Sequence, residues 1–201
     1  MRLRTPLLLI PAIAGAIATL SAQATGTPSF NAPYRAFTRS EFGVVISFPD
    51  PGGTAFEGVF RQASGKFDIG FKGGLWDPCG PCKTIFLAGV EARERVITHT
   101  EDFPLDGALV LGVGGEFVSG NSALVVPVGL SLGRRVDPQG SQISIVPYVQ
   151  PTMFVTVDGG TNVNFTLGLG ADFRLSRVFD ARISAGLGDL KGVSLSAVWV
   201  H

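Results

Sequence analysis

Over residues 163–199 apolar and small polar residues alternate almost without a break. Val163, Phe165, Leu167, Leu169, Ala171, Phe173 and Leu175 fall on one side of an extended chain, and Asn162, Asn164, Thr166, Gly168, Gly170, Asp172 and Arg174 on the other. The reason is that successive side chains of a strand project to opposite faces. After a turn near Ser176 and Arg177 the pattern restarts twice. Phe179, Ala181, Ile183, Ala185 and Leu187 alternate with Asp180, Arg182, Ser184, Gly186 and Gly188. Val193, Leu195, Ala197 and Trp199 then alternate with Gly192, Ser194, Ser196 and Val198. A sustained period of two is a strand signal, here of three antiparallel strands that share one apolar face.

The same period, punctuated by turn residues, runs back through the chain. Pro49-Asp50-Pro51-Gly52-Gly53 is a dense turn signal, and Ser64-Gly65 joins a tight hairpin. Strand candidates begin near residues 42, 54, 66, 84, 107, 122, 142, 162, 178 and 191. Ten is an even number, as a bacterial single-chain barrel requires; eight is the alternative, if residues 42–61 stay out of the wall. Residues 76–83 and 94–104 read as loops. Pro147 and Pro151 fall inside the candidate at 142–157. Proline removes a ladder donor and is normally confined to edges or bulges. A closed wall has no edge, so a bulge or bend is expected there.

Composition decides what such strands enclose. Charged residues make up 16% of the chain, hydrophobic residues 45%, and the mean hydropathy is +0.34, whereas ordinary soluble domains carry about 25% charge. After residue 24 no run of apolar residues is long enough for a spanning helix. The start of the chain reads as an export signal: basic Arg2 and Arg4, an apolar run over residues 6–20, and Ala22-Gln23-Ala24 as a small-x-small cleavage site. A greasy, exported chain without a spanning helix can enter lipid as a closed β-barrel, whose backbone groups all pair between strands. The expected fold is therefore all-β, a transmembrane antiparallel up-and-down barrel. Residues 1–24 are the signal, 25–41 an irregular periplasmic lead-in, and 42–201 the outer-membrane barrel.

Alternation alone does not say which face is inside. A water-facing exterior would carry dense Lys and Glu, but the polar positions are mostly Gly, Ser, Thr and Asn, which suits a narrow lumen filled by side chains. The apolar face is thus expected to meet outer-membrane lipid; a soluble lipocalin-like binding barrel is the alternative. The inward charges on this reading are Glu57, Arg61, Asp68, Lys72, Glu91, Arg93, Glu116, Asp172, Arg174, Asp180 and Arg182. They nearly balance, and an unpaired charge in a poorly hydrated lumen is costly, so cross-strand ion pairs that plug the interior are expected. The competing reading is a charge-lined pore for small solutes. Loss of Arg2 and Arg4 with the signal leaves 14 basic residues against 16 acidic ones (14 − 16 = −2). Nucleic acid is excluded as a partner, since its binders carry a basic excess or stripe.

An export signal, dyad-repeat strands over residues 42–201 and a last amphipathic strand with an aromatic near its end resemble the small OmpA-type outer-membrane barrels of bacteria. The resemblance implies a monomer that displays loops and is inserted by the barrel-assembly machinery. Such proteins usually finish on an aromatic residue, whereas here Val200 and His201 follow Trp199.

Two motifs suggest chemistry. Cys79-Gly80-Pro81-Cys82, between Trp76 and Lys83, is similar to the active-site tetrapeptide of thioredoxins. There the first cysteine sits at a helix N-terminus that lowers its pKa; here the motif lies between strand patterns, and a disulfide clamping a loop is expected. Two cysteines also fall short of a structural zinc site. Gly129-Leu130-Ser131-Leu132-Gly133 matches a hydrolase elbow, which needs a strand-to-helix turn, but it lies in a strand pattern. The expectation is no enzyme, no cofactor and no metal, with a structural or loop-displaying role.

Overall fold

The computed structural model describes residues 24–33 and 38–201; the expected export signal, apart from Ala24, lies outside them. The wall consists of β1 (Glu41–Pro49), β2 (Thr54–Ser64), β3 (Phe67–Asp77), β4 (Ile85–Ile97), β5 (Asp106–Val118), β6 (Asn121–Gly133), β7 (Ser144–Val157), β8 (Thr161–Arg174), β9 (Phe179–Gly188) and β10 (Gly192–Val200). Each strand pairs antiparallel with its sequence neighbours, and β1 pairs with β10, so the ten strands form one closed barrel. We call the end that carries Glu41 and Val200 the base and the opposite end the rim. The turns after β1, β3, β5, β7 and β9 share the rim, as the strand count predicts.

Side chains sort by face as the alternation requires. Phe42, Val44, Ile46 and Phe48 on β1, and Phe165 and Leu169 on β8, point out and are exposed, while Ser47, Thr166 and Asp172 point in and are buried. Aromatic residues gather at both ends of the outer surface. At the base, Trp199 stacks on Phe42 at 5.7 Å and meets Phe179 at 5.3 Å, across the seam between β1 and β10. Toward the rim Phe86 meets Phe117 at 6.3 Å.

The prolines correct one expectation. β7 runs through Pro147 and Pro151 without a bulge, and its pairing with β8 is continuous from Ser144↔Arg174 to Val157↔Thr161. Its pairing with β6 instead keeps one register but skips from Gly129↔Thr152 to Leu132↔Val149. Pro127 on β6 does the same toward β5, where pairing skips from Leu111↔Val128 to Gly114↔Val125. Each ring thus removes ladder bonds without displacing the strand. The register shift lies elsewhere, in β4 between Arg95 and Ile97. β4 also continues past Arg93 to Ile97, into the stretch expected to be loop, because Glu94 pairs with Phe67 and Leu109.

Ten strands enclose more room than eight, whose interior side chains alone can fill. Here the room is taken by the chain itself. The lead-in is expected to lie outside the wall on the periplasmic side; residues 24–33 run instead through the lumen, from the rim half to the base, without regular secondary structure. Ala24, Thr25, Thr27, Ser29, Phe30 and Ala32 are all buried.

Candidate functional site

The lumen is where the wall's polar face meets this inner segment. Wall glycines make the space. Ala24 lies against Gly89, Gly112 and Gly114, and the Phe30 ring lies over Gly168 and Gly186. A Cβ on Gly168 would fall 2.5 Å from Phe30 Cδ1, closer than packed carbons approach. Phe30 then joins Val125, Val146, Tyr148, Phe154 and Leu190 in an apolar cluster. Leu190 belongs to the turn between β9 and β10, which folds over the rim end; Thr166 Oγ1 donates to its carbonyl at 3.0 Å.

The segment has no strand partner, so its backbone groups must find partners on side chains. Tyr148 Oη donates to Phe30 O at 2.8 Å, Ser131 Oγ to Asn31 O at 2.7 Å, and Arg93 Nη1 to Ala32 O at 3.1 Å. Phe30 N donates to Ser184 Oγ at 3.2 Å, and the same hydroxyl donates to Pro28 O at 2.8 Å. Lys72 Nζ donates to both Ser29 O (3.0 Å) and Ser29 Oγ (2.8 Å), and Thr27 Oγ1 to Glu57 Oε2 at 2.6 Å. Ser131, the serine of the elbow-like Gly-x-Ser-x-Gly, is thus a lumen residue that binds main chain.

The sequence-derived charges divide into two groups. Toward the base, Arg61 bonds Asp68 and reaches Glu91 Oε1 at 2.8 Å, while Arg93 Nη2 binds Asp68 Oδ2 at 3.0 Å. Arg182 grips Glu41 with both terminal nitrogens at 2.9 and 2.6 Å, and lies 3.3 Å from Asp172 Oδ2 and 3.8 Å from Asp180 Oδ2. Glu41 also lies 3.7 Å from Arg61 Nε, so one connected network crosses the lumen. Arg174 lies partly exposed at the base end of β8, opposite Ser144 and Asp180 in register. Toward the rim, Glu57, Lys72 and Glu116 face residues 24–29. Among the described residues neither oxygen of Glu116 has a hydrogen-bond partner.

Two lumen acids escape the sequence reading. Glu41 precedes the first apolar residue of β1 and was assigned to the lead-in, and Asp106 precedes the periodic part of β5; both are almost wholly buried. Their alternation with Phe42 and Gly107 is the signal that could place them. Trp76, expected to open a loop, is the inward residue of β3 near its rim end, packed with Ala55 and Leu87. Cys79 and Cys82 are joined as a disulfide in the exposed rim loop after β3, with Cα atoms 5.1 Å apart.

Among the described residues one small cavity of about 20 Å³ lies among Ser29, Phe30, Glu41, Lys72 and Arg182, room for roughly one water. No cluster of three or more potential metal ligands occurs among the described residues.

No protein-family model and no curated protein matches this chain. Among solved structures it is similar to a de novo designed transmembrane β-barrel, at 15% identity and a TM-score of 0.41 over 81% of this chain and 95% of that one. It is also similar to the β domain of the Bordetella autotransporter BrkA, at 13% identity and a TM-score of 0.48 over 81% of this chain and 98% of that one.

Proposed function

We propose that the protein is exported to the bacterial outer membrane, where it sits as a monomeric closed barrel that presents its rim loops and does not conduct. The inner segment carries this reading: residues 24–33 occupy the lumen, buried against the wall's inward face. The membrane location is supported by the outer surface. Apolar residues cover it, with aromatic residues at both ends, as lipid-facing barrels have at their two interfaces, whereas the charges that would solvate a soluble barrel are buried inside. The only partners this role needs are lipid, the barrel-assembly machinery and whatever the rim loops meet. The motif serine, Ser131, bonds main chain in the lumen, which gives the hydrolase reading no support.

A narrow solute pore is the second reading, favoured by the charge network that would line it, and it requires the segment to leave. Planar-bilayer recordings separate the two. The mature protein is expected to stay silent, and deletion of residues 25–33 to produce steady openings. Steady openings from the intact protein would overturn the closed-barrel reading.

A further inference from the structure

Glu116 is 3% exposed, and among the described residues neither of its oxygens has a partner. The charged groups that bear on it, Asp158 and Glu57, have its own sign. Glu57 is itself half satisfied: Oε2 accepts from Thr27, but Oε1 has no partner. Two buried carboxyl groups this close either keep a proton or take up a cation, because a buried charge is tolerated only when paired. Lys72 bonds Ser29 and bears on Glu57, and it is not among the charges that bear on Glu116.

The group that lies against Glu116 is the start of the inner segment. A Cβ added to Gly26 would fall on Glu116 Oε1, and the carbonyl of Ala24 crowds Gly114, the next inward residue along β5. The peptide unit between Ala24 and Thr25 therefore sits beside the unpaired carboxylate. This same bond follows Ala22-Gln23-Ala24, the small-x-small pattern that a signal peptidase cuts. Its hydrolysis consumes one water and leaves a carboxylate on Ala24, which departs with the signal, and an α-ammonium on Thr25. Departure of Ala24 also frees the pocket lined by Gly89, Gly112 and Gly114, into which the new terminus and the Glu116 side chain can turn.

We propose that processing after Ala24 creates the missing counter-charge: the Thr25 α-ammonium pairs with Glu116, with Glu57 as a second acceptor, and fastens the inner segment in the lumen. Ala24 and Thr25 are 1% and 0% exposed, so the cut precedes closure of the barrel. An uncut chain has only a neutral amide at this place and leaves Glu116 unanswered. Maturation and lumen sealing are thereby one event. The inference rests on the export reading and on the segment's place in the lumen.

The test uses mature protein recovered from outer-membrane fractions. Its N-terminal sequence is expected to begin at Thr25. Treatment with a water-soluble carbodiimide should join the Thr25 nitrogen to the Glu116 carboxyl with loss of one water, seen by mass spectrometry as a linked peptide that disappears in Glu116→Gln. Acylation of the α-amine by an activated ester should be about tenfold slower in the wild type than in Glu116→Gln, the factor that one unit of amine pKa produces. A second comparison needs no substitution: protein refolded with its α-amine acetylated should expose the inner segment to protease, while the free amine keeps it protected. A mature terminus other than Thr25, or a Thr25 amine that forms no link and acylates at the Glu116→Gln rate, overturns the proposal. A conducting barrel that still yields the Thr25–Glu116 link would refute lumen closure alone.

Discussion

The base and rim halves of the lumen hold charge in different ways. Near the base the wall's charges pair with one another: Arg61, Arg93 and Arg182 face Glu41, Asp68, Glu91, Asp172 and Asp180 across six strands, and the inner segment adds only neutral acceptors, Ala32 O for Arg93 and Asn31 Oδ1 for Arg182. Near the rim the wall offers Glu57, Lys72 and Glu116, and the bonds to the first two come from Thr27 and Ser29 of the inner segment. Ion pairs within the wall hold one half; in the other, hydrogen bonds with the inner segment take their place.

The base half breaks most severely through Arg61, whose removal strands Glu91 and takes one of two arginine partners from each of Glu41 and Asp68. Arg61→Leu should cost roughly 3–5 kcal/mol, the range for deleting one partner of a buried ionic network, read as a lower urea midpoint in detergent micelles. If the base charges are independent pairs, the loss will be much smaller and the contrast with the rim half disappears. Gly168→Val tests the segment directly, because the new methyls enter the space of the Phe30 ring. Overpacking of this kind costs about 1–3 kcal/mol, and since the segment is held by side chains alone it should yield before the wall does. Limited proteolysis should then cut within residues 24–33 while the heat-modifiable gel shift of the barrel persists. The smallest effect belongs to a site outside both halves. Replacing Cys79 and Cys82 with Ser removes a ring too short to restrict the unfolded chain much, so the loss should stay below about 2 kcal/mol, with assembly intact on the same gel. A collapse of assembly would make the rim loop part of the folding core.

The wall was legible because an amphipathic strand writes its orientation at every residue: the period of two placed all ten strands, each starting within two residues of its observed position. Pro147 and Pro151 misled for a local reason. The rule that proline needs a bulge assumes that a lost ladder bond must be compensated, whereas β7 keeps fourteen residues paired to β8 and gives up only part of the ladder to β6. The inner segment left no periodic trace, since its backbone forms no ladder with a neighbouring strand. Its partners lie far along the chain, as Phe30 and Ser184 do at a separation of 154 residues. Its imprint is on the wall instead. Gly89, Gly112, Gly114, Gly168 and Gly186 all sit at inward positions where a side chain would be expected. They mark two places where the segment lies against the wall, Ala24 at the first three and the Phe30 ring at the other two.

The seam between β1 and β10 sets the order in which this molecule can form. Hairpin neighbours pair over short separations, but Glu41 must find Val200 and Pro49 must find Gly192, the most distant pairing in the wall and the one with the largest loop-closure entropy. Such non-local pairings are slow to form, so closure of the seam is the natural last step. The inner segment immediately precedes β1 and can be laid into the open sheet before that step, without threading an end through a finished ring. Until the seam shuts, however, two long strand edges stand bare, and bare edges invite pairing with other chains. The interval before closure is therefore when this protein is most prone to aggregate, and any factor that shortens it will raise the yield of folded barrel without adding a single native contact.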